Sequence, residues 1–338
     1  DAGLRRVQDR RTHQRAIDAA VGDREGTPLH FRHRQFAVAR LGAFFGNCLF
    51  DLGKAHGIRV ADHRHDKARG GARRDAHMDE VGLMISEIDS GALLKFETVG
   101  GIGDRTLLGK VVQVGPEKIT GVIGARPIHL LKASQRKNVV KRETMRIDIG
   151  AKNKSAAAGK VNVGDTANFT TNYEEFDSTA VAKAFDDRAG CAVLIELLRG
   201  DPVPFDLIAA FTVQEEVGLR GAQVAAYGIK PNAAIVLECT PALDLPSERD
   251  ISPNAALGNG PAVYIMDRVT IQDPRLVSHI MHTAEANNIP FQIRQPGGGG
   301  TNTAVIQSVH GGVPAETIAI PGRHAHTPSM MINLKDYA

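Results

Sequence analysis

Residues 205–218 read Phe205-Asp206-Leu207-Ile208-Ala209-Ala210-Phe211-Thr212-Val213-Gln214-Glu215-Glu216-Val217-Gly218. The first nine are apolar apart from Asp206 and Thr212, the pattern of a strand buried on both faces. Two consecutive glutamates follow at its carboxyl end, where open α/β sheets place their sites. Working outward, Cys191, Leu194, Ile195 and Leu198 recur at i, i+3, i+4 and i+7 and predict a helix with one buried stripe. Two further apolar runs, 233–237 and 316–320, read as strands. Asp273-Pro274 reads as a helix start, with Val277, Ile280, Met281 and Ala284 continuing the stripe. Helix and strand alternate after about residue 172, which predicts an α/β domain with a sheet covered on both faces.

Residues 85–171 have a different texture. Short β-rich pieces, 110–114 and 146–149 among them, are punctuated by eleven glycines. That rhythm predicts a compact all-β module, a small barrel or sandwich, interrupting the α/β domain. The expected organisation is therefore a catalytic domain from 1–84 and 172–338 with a β module at 85–171.

The composition, 42% hydrophobic and 23% charged over 338 residues, is that of a globular protein and excludes disorder or a coiled coil for the whole chain. No apolar run reaches the ~20 residues that would span a bilayer. Three scattered cysteines (Cys48, Cys191, Cys239) fit neither a disulfide framework nor a thiolate zinc site and point to a reducing, cytoplasmic setting. The net charge of +3 is an average of unlike parts: residues 1–75 carry +7, with 14 Arg to 2 Lys, and residues 76–338 carry −4. The chain lacks an initiator Met, which reads as a fragment.

Five polar clusters stand where strands or helices end. His77-Met78-Asp79 offers an imidazole with a carboxylate two residues on, a pair that can ligate a metal and orient the ring, or simply a surface histidine. Asp186-Asp187 at a helix start are helix caps or ligands. Glu215-Glu216, Glu238 and His324-Ala325-His326 complete the set, each readable alone as a solvated loop. Jointly they offer the oxygen and imidazole donors that divalent metals take. A metal pair ~3.5–4 Å apart needs a bridging carboxylate, plus a carboxylate and a His on each ion. His77, Asp186, Glu216, Glu238 and His326 supply that set, which leaves Glu215 free as general base.

In order, the strings AHMDEVG (76–82), KAFDDRAG (183–190), QEEVGLRGA (214–222), LECT (237–240) and RHAHTPS (323–329) resemble the tetrahedral (TET) aminopeptidases. These are cocatalytic metallopeptidases that include glutamyl, lysyl and deblocking aminopeptidases, some of them labelled cellulases or endoglucanases. The resemblance runs from about residue 76 to 337. It implies an α/β/α catalytic domain with an inserted β-barrel that dimerises, and dimers that assemble into a dodecameric homo-oligomer. It also implies two divalent ions per subunit, zinc or cobalt, with Asp186 bridging them, His77 and Glu238 completing one site and Glu216 and His326 the other. Glu215 would be the base toward a metal-bridging hydroxide that attacks N-terminal peptide bonds; Asp79 would orient His77, and Asp187 would follow the bridging Asp. Gly300, Thr301 and Asn302 fall in a glycine-rich loop that the resemblance places near a peptide substrate. Neither nucleic acid nor membrane is an expected partner.

Three departures accompany the resemblance. Glu238 stands where relatives commonly carry Asp, and Asn302 where they often carry Asp. Relatives run an apolar strand into the His motif, whereas residues 70–75 here are Gly-Gly-Ala-Arg-Arg-Asp, which predicts no strand for a buried sheet. The Arg excess of residues 1–75 fits translation of GC-rich DNA in a wrong frame. Two rival readings exist. A glycoside hydrolase could use Glu215 and Glu216 as acid and base, though adjacent residues poorly suit carboxylates ~5–9 Å apart. A nucleic-acid-binding protein could use the basic front.

Overall fold

The computed structural model describes residues 72–245, 255–294 and 297–337, together with the backbone of a strand at Ala55–Val60. The remaining residues of the basic front, on which the reading-frame expectation rests, lie outside the described residues.

Strands are numbered along the chain. β1 (Ala55–Val60) and β2 (Ala72–His77) precede a run of six: β3 (Gly82–Ile88), β4 (Leu94–Val99), β5 (Val111–Val114), β6 (Ile119–Gly124), β7 (Arg146–Asp148) and β8 (Thr166–Phe169). These six close into a barrel in the order β3-β4-β7-β6-β5-β8. Alternation of buried and exposed residues, as in β5 and β8, points one face of each strand inward. Leu83, Ile85, Leu94, Ile123 and Ile147 fill the interior, each contributing roughly 1.5–3 kcal/mol of burial. A short helix, α1 (Lys154–Ala158), seals the core with Ala157, its start capped by Asn153 accepting from the Ala156 amide.

The remaining strands are β9 (Glu174–Phe176), β10 (Thr179–Ala182), β11 (Phe205–Thr212), β12 (Ala233–Pro241), β13 (Ala262–Tyr264), β14 (Gln292–Arg294), β15 (Ala315–Arg323) and β16 (Met330–Asn333). They join β1 and β2 in one large sheet whose main path runs β1-β11-β2-β12-β15-β16-β10-β9. From β1 to β15 neighbouring strands are parallel, so β2, β11, β12 and β15 direct their carboxyl ends to one edge. Side chains alternate between two helical layers. Ile235 and Leu237 of β12 pack with Cys191, Val193 and Leu194 of α2 (Phe185–Arg199). Ala234 and Val236 pack on the other face, with α3 (Arg220–Ile229) and the residues around α5 (Thr303–Gln307). Between them in the chain, α4 (Pro274–Ala286) starts at Asp273, whose carboxylate accepts the Arg275 amide, and buries Leu276, Ile280 and Ala284. The α/β reading and the inserted barrel are thus both present.

The expectation that residues 70–75 make no strand is overturned. Ala72–His77 is β2, a central strand paired on both sides, with β11 and β12. Arg73 and Arg74 are fully buried within it. The backbone ladders to two parallel neighbours outweigh the side-chain signal, which is weak for strands in any case. The Arg73 guanidinium pairs with Asp75 at 2.5 Å and donates to the Ala222 carbonyl at 3.2 Å. A second expectation shifts as well. Glu238 does not close its strand but lies inside β12, which continues to Pro241.

Candidate metal centre

Five of the expected residues reach the same edge because four parallel strands end there. His77 is the last residue of β2, Glu215 and Glu216 follow β11, Glu238 lies near the end of β12, and His326 follows β15. Asp186 and Asp187 come in from the start of α2. Both have non-helical backbone angles, so regular helix begins after them, and the peptide joining them is cis.

Asp186 lies between the two imidazoles. Its Oδ1 is 3.2 Å from His77 Nε2, and its Oδ2 is 3.5 Å from His326 Nε2. Glu238 Oε1 also lies 3.2 Å from His77 Nε2, and Glu216 Oε2 lies 3.7 Å from His326 Nε2. Two groups result whose ligand atoms all fall within 4.8 Å of one another: His77, Asp187 and Glu238, and Asp186, Glu216 and His326. Asp187, expected only to follow the bridging residue, therefore enters the first group directly. It serves two purposes, because its Oδ1 accepts the Gly190 amide at 3.0 Å and caps the regular helix while its buried Oδ2 has no hydrogen-bond partner.

Asp79 does more than orient an imidazole. His77 Nδ1 contacts the Asp79 main-chain oxygen at 3.0 Å and its carboxylate at 3.5 Å. The same carboxylate accepts the backbone amides of Glu215 and Glu216 at 3.2 and 3.3 Å. One side chain thus sets both a ligand on β2 and the turn after β11.

The electrostatics fit a cation. Burial pushes the carboxyls of Glu215, Glu216, Glu238 and Asp187 above their ordinary range, with neighbouring carboxylates adding to the shift. Burial opposes the charge of Asp186 as well, but hydrogen bonds with His326 and His77 hold it well below that range. Its hydrogen bond to Asp186 leads the causes that push His326 up to about 9, against its partial burial. Burial works against a charged His77, yet Glu238 and the hydrogen bonds to Asp186 and Asp79 keep its basicity high. Packed carboxylates repel one another, and a divalent ion among them removes that repulsion. The buried Oδ2 of Asp187 and Oε2 of Glu238, both lacking a hydrogen bond, are suited to be ligand atoms.

Residues 66–338 match the M42 glutamyl aminopeptidase family. The chain belongs to this family. Among relatives of this M42 chain, a putative aminopeptidase of Acetivibrio thermocellus is 36% identical over 262 residues, covering 77% of each chain. The TET aminopeptidase of the marine archaeon Thaumarchaeota archaeon SCGC AB-539-E09 superposes with a TM-score of 0.76 at 30% identity, over 88% of this chain and 93% of that one. The Pyrococcus horikoshii TET1 peptidase, which assembles into a tetrahedron or a large octahedral shell, gives 0.70 at 32% identity, over 80% and 81%. Membership makes this M42 protein a metallo-aminopeptidase.

Sequence reasoning missed the part played by the barrel. Gly100 and Gly101, just beyond β4, lie against the centre. The Gly101 carbonyl is 3.0 Å from His326 Nδ1, and a Cβ on Gly100 would come within 3.1 Å of Glu216 Oε2. No spacing rule reveals this, because the partners are more than a hundred residues away in the chain. The glycine-rich loop divides: Gly300 is exposed, whereas Thr301 and Asn302 turn inward. Asn302 donates to Asp75 at 2.9 Å and Thr212 at 3.2 Å, and Thr301 bonds Thr317 at 3.0 Å. Cys191 and Cys239 are buried thiols that donate to the carbonyls of His77 and Phe185.

Proposed function

We propose that this M42 aminopeptidase removes N-terminal residues from peptides at two divalent ions, zinc or cobalt. Asp186 would be shared by both ions, with His77 and Glu238 on one side and Glu216 and His326 on the other. The observation that carries this reading is the position of Asp186, one carboxylate oxygen toward each imidazole. Asp187 stands close enough to the first group to assist it. When bound, such ions acidify a water molecule and offset the charge that develops on the scissile carbonyl oxygen.

The chain's own residues supply the proton path. Glu215 belongs to neither ligand group, yet its carboxylate is 4.0 Å from His77 Nε2 and mostly shielded from solvent. It takes the proton of the attacking water as the carbon–oxygen bond forms and passes it to the leaving amine as the carbon–nitrogen bond breaks. Burial and the nearby Glu238 carboxylate raise its affinity for that proton, which suits it to hold one between the two steps. Asp79 keeps the Glu215–Glu216 turn in place through the two amides it accepts. Gly300, at the exposed end of its loop, is left to face the peptide. Assembly into dimers through the barrel and on to a dodecamer is the quaternary state we infer from the TET neighbours.

A panel of aminoacyl anilides, assayed with zinc or cobalt and with chelator, tests the reading. Glu215→Gln is expected to lower kcat by ~10²–10⁴-fold while metal content is retained. Hydrolysis that survives this change, or equal rates on N-acetylated peptides, would refute it. Light scattering of the purified chain tests the assembly, and a monomer would remove that part.

A further inference from the structure

Between β6 and β7 the barrel sends out an excursion that the proposed chemistry does not use. Residues 126–142 contain Arg126, Lys132, Arg136, Lys137, Lys141 and Arg142 and no Asp or Glu. Residues 126–139 are exposed, Leu131 alone being half-buried. Among the described residues Lys132, Arg136 and Lys137 pair with no carboxylate; Arg136 Nε donates to the Leu131 carbonyl at 3.1 Å. Two apolar side chains, Ile128 and Leu130, are more than half exposed in the same stretch.

Barrel topology aims this stretch. Gly124 at the end of β6 pairs with Arg146 at the start of β7, so the excursion leaves and returns at one mouth of the barrel. β4 runs antiparallel to β7, with Leu94 opposite Ile147, so β4 ends at that same mouth. Immediately beyond β4 come Gly100 and Gly101, which touch Glu216 and His326. Arg142 ties the root of the excursion to this corner, donating to Thr98 Oγ1 at 2.6 Å and, through its amide, to Asp104 Oδ2 at 3.4 Å. The basic stretch is therefore rooted beside the metal centre.

The centre itself is acidic. Asp79, Asp186, Asp187, Glu215, Glu216 and Glu238 gather six carboxyl groups there, so the cleft itself offers a negatively charged chain no attraction. A cationic segment at its rim reverses that field locally. We propose that the 126–142 segment recruits peptides carrying acidic residues downstream of the scissile bond, with Lys132, Arg136 and Lys137 as the main contacts. Ile128 and Leu130 offer apolar contact to the same extended chain. Nucleic acid is the less favoured anion, since the segment has no Phe, Tyr or Trp on which a base could stack. This assignment rests on the aminopeptidase reading for its catalytic arm only.

The test compares the full chain with K132Q/R136Q/K137Q, an exposed triple variant. Two peptides with the same N-terminal residues are used, one with an Asp/Glu tail from the third position and one with a Ser/Gly tail. At low salt the triple variant is expected to lose about tenfold in kcat/KM on the acidic tail, through KM, and nothing on the neutral tail or on an aminoacyl anilide. Raising salt to ~0.3 M should erase the difference, because the Debye length then falls well below 10 Å. An N-acetylated, fluorescent acidic peptide gives a second reading by anisotropy, independent of turnover. Binding of that peptide that is salt-sensitive and weakened in the variant, with no anilide hydrolysis by either protein, would fail the catalytic reading and leave the recruiting segment standing. Equal affinity of the two proteins for it, or equal loss on both tails, would overturn the recruiting segment. So would a variant that loses only affinity for a labelled oligothymidine.

Discussion

At the scale of single residues, the centre depends on side chains that each hold two things. Asp187 caps α2 through Oδ1 and also offers a carboxylate oxygen to the group with His77 and Glu238, and this works only because residue 190 is glycine. A Cβ there would lie 2.5 Å from both carboxylate oxygens. Gly190→Ala is accordingly expected to displace Asp187, lower metal affinity by roughly 10–100-fold and leave the barrel intact. Calorimetric titration with zinc, set beside a circular dichroism spectrum, would read both effects. Asp79→Ala should be worse for turnover than for folding, since it frees both the His77 ring and the Glu215–Glu216 turn. A kcat down by 10-fold or more with a thermal midpoint within a few degrees is the expected pair of results.

At the scale of elements, β2 and β15 carry ionisable side chains in the middle of a sheet. Arg74 is buried between Ala209 of β11 and Ile235 of β12. Glu316 in β15 is buried, and that burial pushes its carboxyl up to about 10, although the nearby Thr317 and Tyr264 amides pull the other way. The sign follows from linkage. The folded carboxyl keeps its proton while the unfolded chain ionises above the ordinary glutamate value of about 4.3. Its contribution is therefore complete below that pH and declines as pH rises toward 10. Glu316→Gln should flatten this decline, with a stability gain larger at pH 9 than at pH 5 in thermal melts. Neither strand's buried ionisable group was foreseeable as such. The 316–320 run read as a strand because four of its five residues are Thr, Ala or Ile, and residues 70–75 read as none because their side chains argue against one.

At the scale of the whole molecule, the barrel and the sheet meet at the metal centre. Gly100 and Gly101 bring a barrel loop against Glu216 and His326, so the inserted module closes against candidate ligands that all belong to the sheet domain. Removing metal should consequently loosen that junction. Chelation is expected to lower the thermal midpoint by several degrees, and added zinc or cobalt should restore it, since a ligand that binds only the folded state stabilises it by mass action. Hydrogen exchange should show the lost protection at residues 98–104 and 214–218 and little change in β5 or β8. Among the described residues no helix is long and apolar enough to cross a membrane.

The sequence by itself determined the layered α/β architecture, the inserted β module and the strand-end positions of most candidate ligands. Periodicity and strand-end position are local properties, and a parallel sheet gathers the ends of its strands whatever lies between them. Only the tertiary structure decided that Ala72–His77 is a central strand, that Asp187 joins the first ligand group, and that Gly101 holds His326. Each of these depends on neighbours distant in the chain, namely the ladders of β11 and β12, the approach of α2 to the sheet edge, and the end of β4 at the barrel mouth. Residue preference at a single position is small beside the backbone hydrogen bonds and packing that such neighbours impose.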